Sequence, residues 1–274
     1  MEQDGLVYKK RKEEKMTNKG KHEQKLISHG HATRTRSRYF INQGVMKKML
    51  EKWLGMFLCS FFVLGLLGIK IGHASIPLPK PSLDGKVSVE KAIKERRTIR
   101  NFKDRPLPLS HLSQLLWAAQ GITDPKEGKR ATPSAGALYP LDIYVIVGEK
   151  GVEGMEMGVY HYLPDRHSIL LISKGDRRKE IASASLSQMW MTKAPVIFVI
   201  TAEYKRITGK YGERGIRYAL IEVGHVGQNL FLQAEALGLG AGIVGAFYDT
   251  DVSKVMGTPP QHEPLLIMPV GYKK

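Results

Sequence analysis

Cysteine is almost missing from these 274 residues, with Cys59 the only one. A chain with a single cysteine has no internal disulfide, no CxxC redox pair and no thiolate-built metal site. The nine histidines are scattered without zinc-ligand spacing, so no structural metal is expected. Acidic residues are also scarce, 26 Asp and Glu against 42 Lys and Arg, which gives a formal net charge of +16. That excess is uneven: residues 1–75 carry 15 basic and 6 acidic side chains, and residues 76–274 carry 27 and 20. More than half of it therefore lies ahead of the part that reads as folded. No basic-aromatic RNA-binding motif accompanies it, so nucleic acid is not an expected partner. There is no internal repeat and no GxGxxG opening a helix, which argues against a solenoid and a Rossmann dinucleotide fold. An apolar fraction of 42% is enough for a sizeable core.

Residues 1–45 are polar and basic with little apolar periodicity, and read as a disordered arm or as an extension upstream of an alternative start at Met46. From Met46 the order is lysines, an apolar run over residues 53–69, the small residues Ala74 and Ser75, then Pro77, Pro79 and Pro81. This is the layout of a signal peptide. The run is also close to the ~20 residues that span a bilayer, so an uncleaved anchor is the equal alternative. Cys59 lacks a lipobox, and no twin-arginine motif precedes the apolar core. The expected organisation is a leader over 1–45, a signal peptide or membrane anchor over 46–75, a linker over 76–87 and one domain over 88–274. The chain is accordingly expected to be membrane-associated through residues 53–69 or exported. Lysines ahead of the run favour an inside N-terminus and a domain on the outer side.

Within the domain, Ser88 is a plausible N-cap for a short helix that runs into Arg96-Arg97-Thr98-Ile99-Arg100, stopped by Pro106 and Pro108. Ser110 is expected to cap a second helix whose Leu112, Leu115, Leu116 and Ala119 share a face, closed by Gly121. Strands are expected over 143–147 and 196–201, with a hairpin over 159–163 and 169–172 turning at Pro164-Asp165. Helices follow over 176–186 and 251–256, and a final strand over 265–270. The long helix over 214–237 is apolar on most sides and reads as a central core helix without an exposed face. Helices and strands mix without strict βαβ alternation, which predicts an α+β domain.

Three segments could carry chemistry. Arg96, Arg97 and Arg100 beside Thr98 offer charge and a hydroxyl to a phosphate ester, or form a solvated basic face at a helix end. Pro133, Ser134, Ala135 and Gly136 combine a hydroxyl with residues small enough for the backbone to approach a flat ring. Residues 240–247 hold three glycines suited to laying backbone N–H groups against a planar ligand; they follow a helix and do not open one. Glu222 and His225 share a face of the long helix and read as core or interface hydrogen-bonding groups. Trp190 reads as core filling.

These segments, with Arg217 to Leu230 between them, resemble in order and spacing the nitroreductase family, in particular its SagB-type branch of azoline dehydrogenases, from about Ser88 to Tyr272. The resemblance implies a nitroreductase-like α+β fold, a central mostly antiparallel sheet flanked by helices. It also implies a homodimer with flavin mononucleotide (FMN) at the interface. Arg96, Arg97, Thr98 and Arg100 would hold its phosphate and ribityl chain, the partner's Pro133, Ser134, Ala135 and Gly136 would lie on the ring, and Gly245 and Ala246 would face N5. Whether Lys273 or Lys274 joins the phosphate is left open. Lys210 and Tyr211 match the branch's Lys-Tyr pair and would serve as base and acid. Two activities follow: reduction of nitroaromatic or quinone-like acceptors with NADH or NADPH, or oxidation of azolines in a peptide. The alternative is a membrane-tethered flavin- or anion-binding module without turnover, and a basic adaptor acting through residues 1–45 is a third reading.

Overall fold

The computed structural model describes residues 75–274. The leader, the apolar run over 53–69 and Cys59 lie outside the described residues. Among the described helices none is long and apolar enough to cross a membrane.

Seven strands form one sheet in the order β1-β6-β5-β4-β7-β9-β8, every neighbouring pair antiparallel. They are β1 (Ile76–Pro77), β4 (Leu141–Val147), β5 (Gly158–Leu163), β6 (Ser168–Lys174), β7 (Val196–Ala202), β8 (Leu239–Ala241) and β9 (Glu263–Tyr272); β2 (Ile122–Asp124) and β3 (Lys129–Arg130) make a separate ribbon. The helices are α1 (Val89–Glu95), α2 (Leu109–Gln120), α3 (Arg178–Ala184), α4 (Lys205–Tyr211), α5 (Arg214–Ala236) and α6 (Asp249–Met256).

The β-former runs become strands because both faces of the sheet are covered. All seven residues of β7 are buried. Val196, Phe198 and Ile200 join one apolar cluster with Leu112, Leu115, Leu116 of α2 and Val226, Leu230 of α5. Ile197 and Val199 point the other way, into a cluster with Ile181 of α3 and Val252, Met256 of α6. This period-2 division supplies two cores from one strand, each fully buried side chain contributing roughly 1.5–3 kcal/mol.

Two expectations are corrected. The second helix starts at Leu109 with Pro108 at the N-cap and no side-chain cap, so Ser110 sits inside the first turn. Leu107 decides the boundary: it is fully buried and its N–H donates to Gly151 O (2.9 Å), which fixes the chain extended up to the proline. The long helix does have an open face, where Leu220 and Ile221 are about half exposed beside exposed Gly224, His225 and Gln228. Its other side carries Ala219, Val226, Leu230 and Ala234 into the core.

The stretch following Ser75 lies along the domain. Leu78 N–H donates to His167 O (3.0 Å), the Ser113 hydroxyl donates to Pro79 O, and the Gln114 amide makes two bonds to the Ser82 backbone (2.8 and 3.1 Å).

Candidate functional site

The arginine segment is placed by the short helix before it. The Lys91 N–H donates to Ser88 Oγ (3.2 Å), as a capping serine should, and Arg96 closes α1 by donating its N–H to Ala92 O (3.0 Å). The chain then runs beside the sheet edge: Ile99 N–H donates to Ala241 O (2.8 Å) in β8, and Phe102 bridges to Lys273. Arg96 lies over the Phe231 ring of α5 at 5.1 Å and Arg100 over Trp190 at 5.8 Å, while Arg97 bonds only backbone carbonyls. Among the described residues no carboxylate lies within 4.0 Å of any of these three guanidiniums. Lys273, by contrast, is ion-paired with the largely buried Glu235.

The glycines of 240–247 divide into two kinds. A Cβ on Gly240 would sit 2.6 Å from Ile99, and one on Gly242 would sit 2.5 Å from the Trp190 ring, so both are needed for internal packing. At Gly245 a Cβ would meet nothing within 4 Å, and Gly245 and Ala246 are both exposed. Only that end of the segment is open to a flat ligand. Trp190 is half-buried between Arg100, Phe102 and Gly242 and packs against the core cluster of α3 and α6, so it fills the edge of that core and also links the arginine segment to this strip.

The second patch is the loop after β3. Ser134 Oγ accepts from Tyr139 N–H (3.0 Å), drawing the loop into a coil in which Gly136, Ala137 and Tyr139 all take positive φ (63°, 55° and 46°). Left-handed backbone at two non-glycine residues costs on the order of 1 kcal/mol or more each, and such strain persists where the surroundings enforce it. The enforcement comes from α4, not from a loop: a Cβ on Gly136 would lie 2.8 Å from Tyr211 Oη and 3.1 Å from Lys210 Nζ. The fold thus brings Lys210 and Tyr211 against the Pro133–Gly136 loop of the same chain. Behind the loop, Glu222 is buried and accepts from Gln120 Nε2 (3.1 Å). Burial pushes its carboxyl above the usual range, with Ser134, Gln120 and Arg130 opposing.

The two patches stay apart in one chain. Arg96 packs at Phe231 and the Ser134 loop at Glu222, nine residues along α5, about 14 Å at the rise of an α-helix.

A polar network that sequence reasoning missed holds α4 in place. Arg206 reaches Asp142 Oδ2 (2.8 Å) and Glu203 Oε2 (2.7 Å), His161 Nε2 lies 3.0 Å from Asp142 Oδ1, and Tyr144 Oη lies 2.9 Å from His262 Nδ1. Burial works to raise the Asp142 carboxyl, but the His161 hydrogen bond and the Arg206 and His262 charges outweigh it and hold it low. Burial pushes the His262 imidazole down. Both groups bind protons less readily folded than unfolded, so their contribution is complete above the unfolded values and is lost as pH falls. Thermal melts are expected to decline from about pH 6.5, the unfolded histidine value, and further below 3.8, that of aspartate. His111 and His167 shift the same way, so His262→Gln should remove part of the upper slope. An unchanged slope would show that His262 is not a source of it. Among the described residues no group of three or more His, Cys, Asp or Glu is placed to hold a metal ion.

Known proteins resemble this chain in sequence and in fold. Residues 93–272 match the model of the nitroreductase family. A nitroreductase-family protein of Methanocaldococcus jannaschii is 46% identical over 68% of this chain and 92% of its own length. The microcin B17-processing protein McbC of Escherichia coli is 28% identical over 57% of this chain, which spans 59% of McbC. The structure of the E. coli microcin synthetase McbBCD complex with truncated pro-MccB17 aligns at a TM-score of 0.58 and 26% identity, over 72% of this chain and 77% of that one.

Proposed function

The chain belongs to the nitroreductase family of flavin-dependent oxidoreductases, and from that premise we propose that it is an FMN enzyme of the SagB type that dehydrogenates azolines in a peptide. The observation that carries the cofactor is the trio Arg96, Arg97 and Arg100, three guanidiniums without carboxylate partners among the described residues, on the segment that pairs with β8 at Ala241, four residues ahead of the open backbone of Gly245 and Ala246. A phosphate is the ligand such a cluster suits, with the Thr98 hydroxyl alongside. Bound FMN would supply hydride chemistry at N5. Gly245 and Ala246 are the residues we assign to that end of the ring.

The contact of Lys210 and Tyr211 with the Pro133–Gly136 loop supports the azoline reading, because hydride removal from a heterocycle also needs a proton taken up nearby. Likeness to a microcin-processing protein points the same way. We further infer a homodimer: Leu220 and Ile221 of α5 are half exposed and Val89 and Ile93 of α1 are exposed, apolar surface that a second copy would cover. The arginine segment of one copy would then meet Pro133, Ser134, Ala135 and Gly136 of its partner across the seam, since within one chain the two pack at points about 14 Å apart along α5. Residues 53–69 would hold this enzyme at a membrane or direct its export.

The test is the absorbance spectrum of the full-length protein with FMN, followed by addition of an azoline peptide, NADH or NADPH. Bleaching by the peptide supports the dehydrogenase, and bleaching by a nicotinamide alone supports the acceptor-reducing reading. Bound flavin that nothing cycles leaves a binding module. Arg96→Gln and Arg100→Gln are each expected to weaken FMN binding about ten-fold, the size of one charge-assisted hydrogen bond. Unaltered affinity in the double variant would refute the phosphate assignment.

A further inference from the structure

A cleft of about 420 Å³ opens where the ends of β4 and β5 meet the end of α2 and the turn after β5. None of the residues assigned to flavin lines it. Gln120 does, and it is fully buried: its Nε2 is spent on Glu222, while its Oε1 has no hydrogen-bond partner among the described residues. Arg130 lines it too. Its guanidinium is held over the Tyr139 ring at 4.5 Å, its Nε is buried without a partner among the described residues, and its nearest carboxylate, the exposed Asp165, is 4.0 Å away. Arg206 is committed to Asp142 and Glu203, and Arg166 is exposed to solvent, so Arg130 is the partly buried guanidinium of the lining with capacity to spare.

Buried polar atoms left unpaired cost about 1–3 kcal/mol each, more when charged, and a cleft that presents an unused acceptor and an unused cationic donor is complementary to a ligand with the opposite pair. We propose that this cleft is a substrate subsite for a carboxylate with a neighbouring N–H, the chemistry of a peptide C-terminus or an N-acyl amino acid. Arg130 takes the carboxylate as a charge-assisted pair, and Gln120 Oε1 accepts from the N–H. One residue joins the subsite to the proposed chemistry: Tyr139 carries the Arg130 guanidinium on its ring, accepts the Arg130 backbone N–H on its hydroxyl (3.2 Å), and donates its own backbone N–H to Ser134 Oγ. Tyr139 in this way ties the subsite to the loop against which Lys210 and Tyr211 pack. The assignment thus deepens the peptide-dehydrogenase reading and rests on it for its meaning, though not for its test.

The test is equilibrium binding to the full-length protein, without an electron donor, of hippurate, its neutral amide and N-benzoylsarcosine, which keeps the carboxylate and lacks the N–H. Hippurate is expected to bind at least ten-fold more tightly than the amide and several-fold more tightly than the sarcosine compound. Arg130→Gln should abolish the first preference, and Gln120→Leu the second. Should either variant fail to fold, the wild-type Arg130 Nε–H resonance serves: it should shift with hippurate and stay in place with the amide. Equal binding of hippurate and amide, a preference that survives Arg130→Gln, or equal displacement by inorganic phosphate would each overturn the carboxylate subsite. A protein that shows the preference but never cycles flavin would retain the subsite and sink the oxidoreductase reading; the reverse result would do the opposite.

Discussion

Gly136→Ala is expected to cut turnover about a hundred-fold while leaving flavin bound. Two costs fall on this position. An L-residue at φ 63° is strained by roughly 1–2 kcal/mol. The new Cβ also lies 2.8 Å from Tyr211 Oη, closer than real contacts allow, so the phenol must move and Lys210 Nζ at 3.1 Å must follow. Strain alone lowers stability modestly. Displacing an acid and a base by a fraction of an ångström to an ångström is what costs on the order of 10²-fold in rate. Gly128→Ala separates the two, because it has the same left-handed backbone (φ 64°) and nothing within 4 Å of its Cβ. It should lose similar stability and keep its activity. Equal turnover in the two variants, measured as kcat on any substrate pair the wild type accepts, would show that Lys210 and Tyr211 do not act from where the fold places them. Flavin should remain bound in both, because its phosphate would be held by the arginine segment; Gly128→Ala leaves the content unchanged, and Gly136→Ala, whose loop would lie on the ring, lowers the affinity at most a few-fold.

The division of labour among the glycines also shows how far the sequence could be read. Gly136, Gly240, Gly242 and Gly245 look alike as letters, and all were expected near a planar ligand. The structure uses Gly240 and Gly242 to admit Ile99 and Trp190, Gly136 to admit Tyr211, and leaves only Gly245 facing open space. A missing Cβ signals a close approach without naming what approaches. Strands were easier: a run such as Ile143 to Val147 has the β-branched composition of a sheet covered on both faces, and it is one. The start of α2 was misplaced by two residues because the buried anchor Leu107 and its bond to Gly151 override the local preference for serine as a cap. The open face of α5 was illegible because an apolar residue reads the same whether it ends in the core or, like Leu220 and Ile221, on the surface.

Least legible of all was the network around Asp142, whose members Asp142, His161, Glu203, Arg206 and His262 are spread over 120 residues with no shared spacing. Their proximity is a product of sheet register: Tyr144 pairs with His161 across β4 and β5, and Asp142 with Thr201 across β4 and β7, which delivers Glu203 and then Arg206 at the start of α4. Asp142→Ala is therefore expected to have the largest effect on stability of any single change outside the apolar core. It strands Arg206 and removes the hydrogen-bond partner of His161, and breaking a buried pair costs about 3–5 kcal/mol. Arg206 retains about a third of its side-chain exposure and Glu203, so the lower end, about 3 kcal/mol, is the expected loss in a denaturant melt. Asp142→Asn keeps a hydrogen-bonding oxygen and should lose less. Because Arg206 belongs to α4, four residues before Lys210, the alanine variant should also lose turnover under conditions where it is still fully folded. A variant that melts early but turns over normally until it unfolds would make the network a support of the sheet alone, and the positions of Lys210 and Tyr211 would then depend on the Pro133–Gly136 loop.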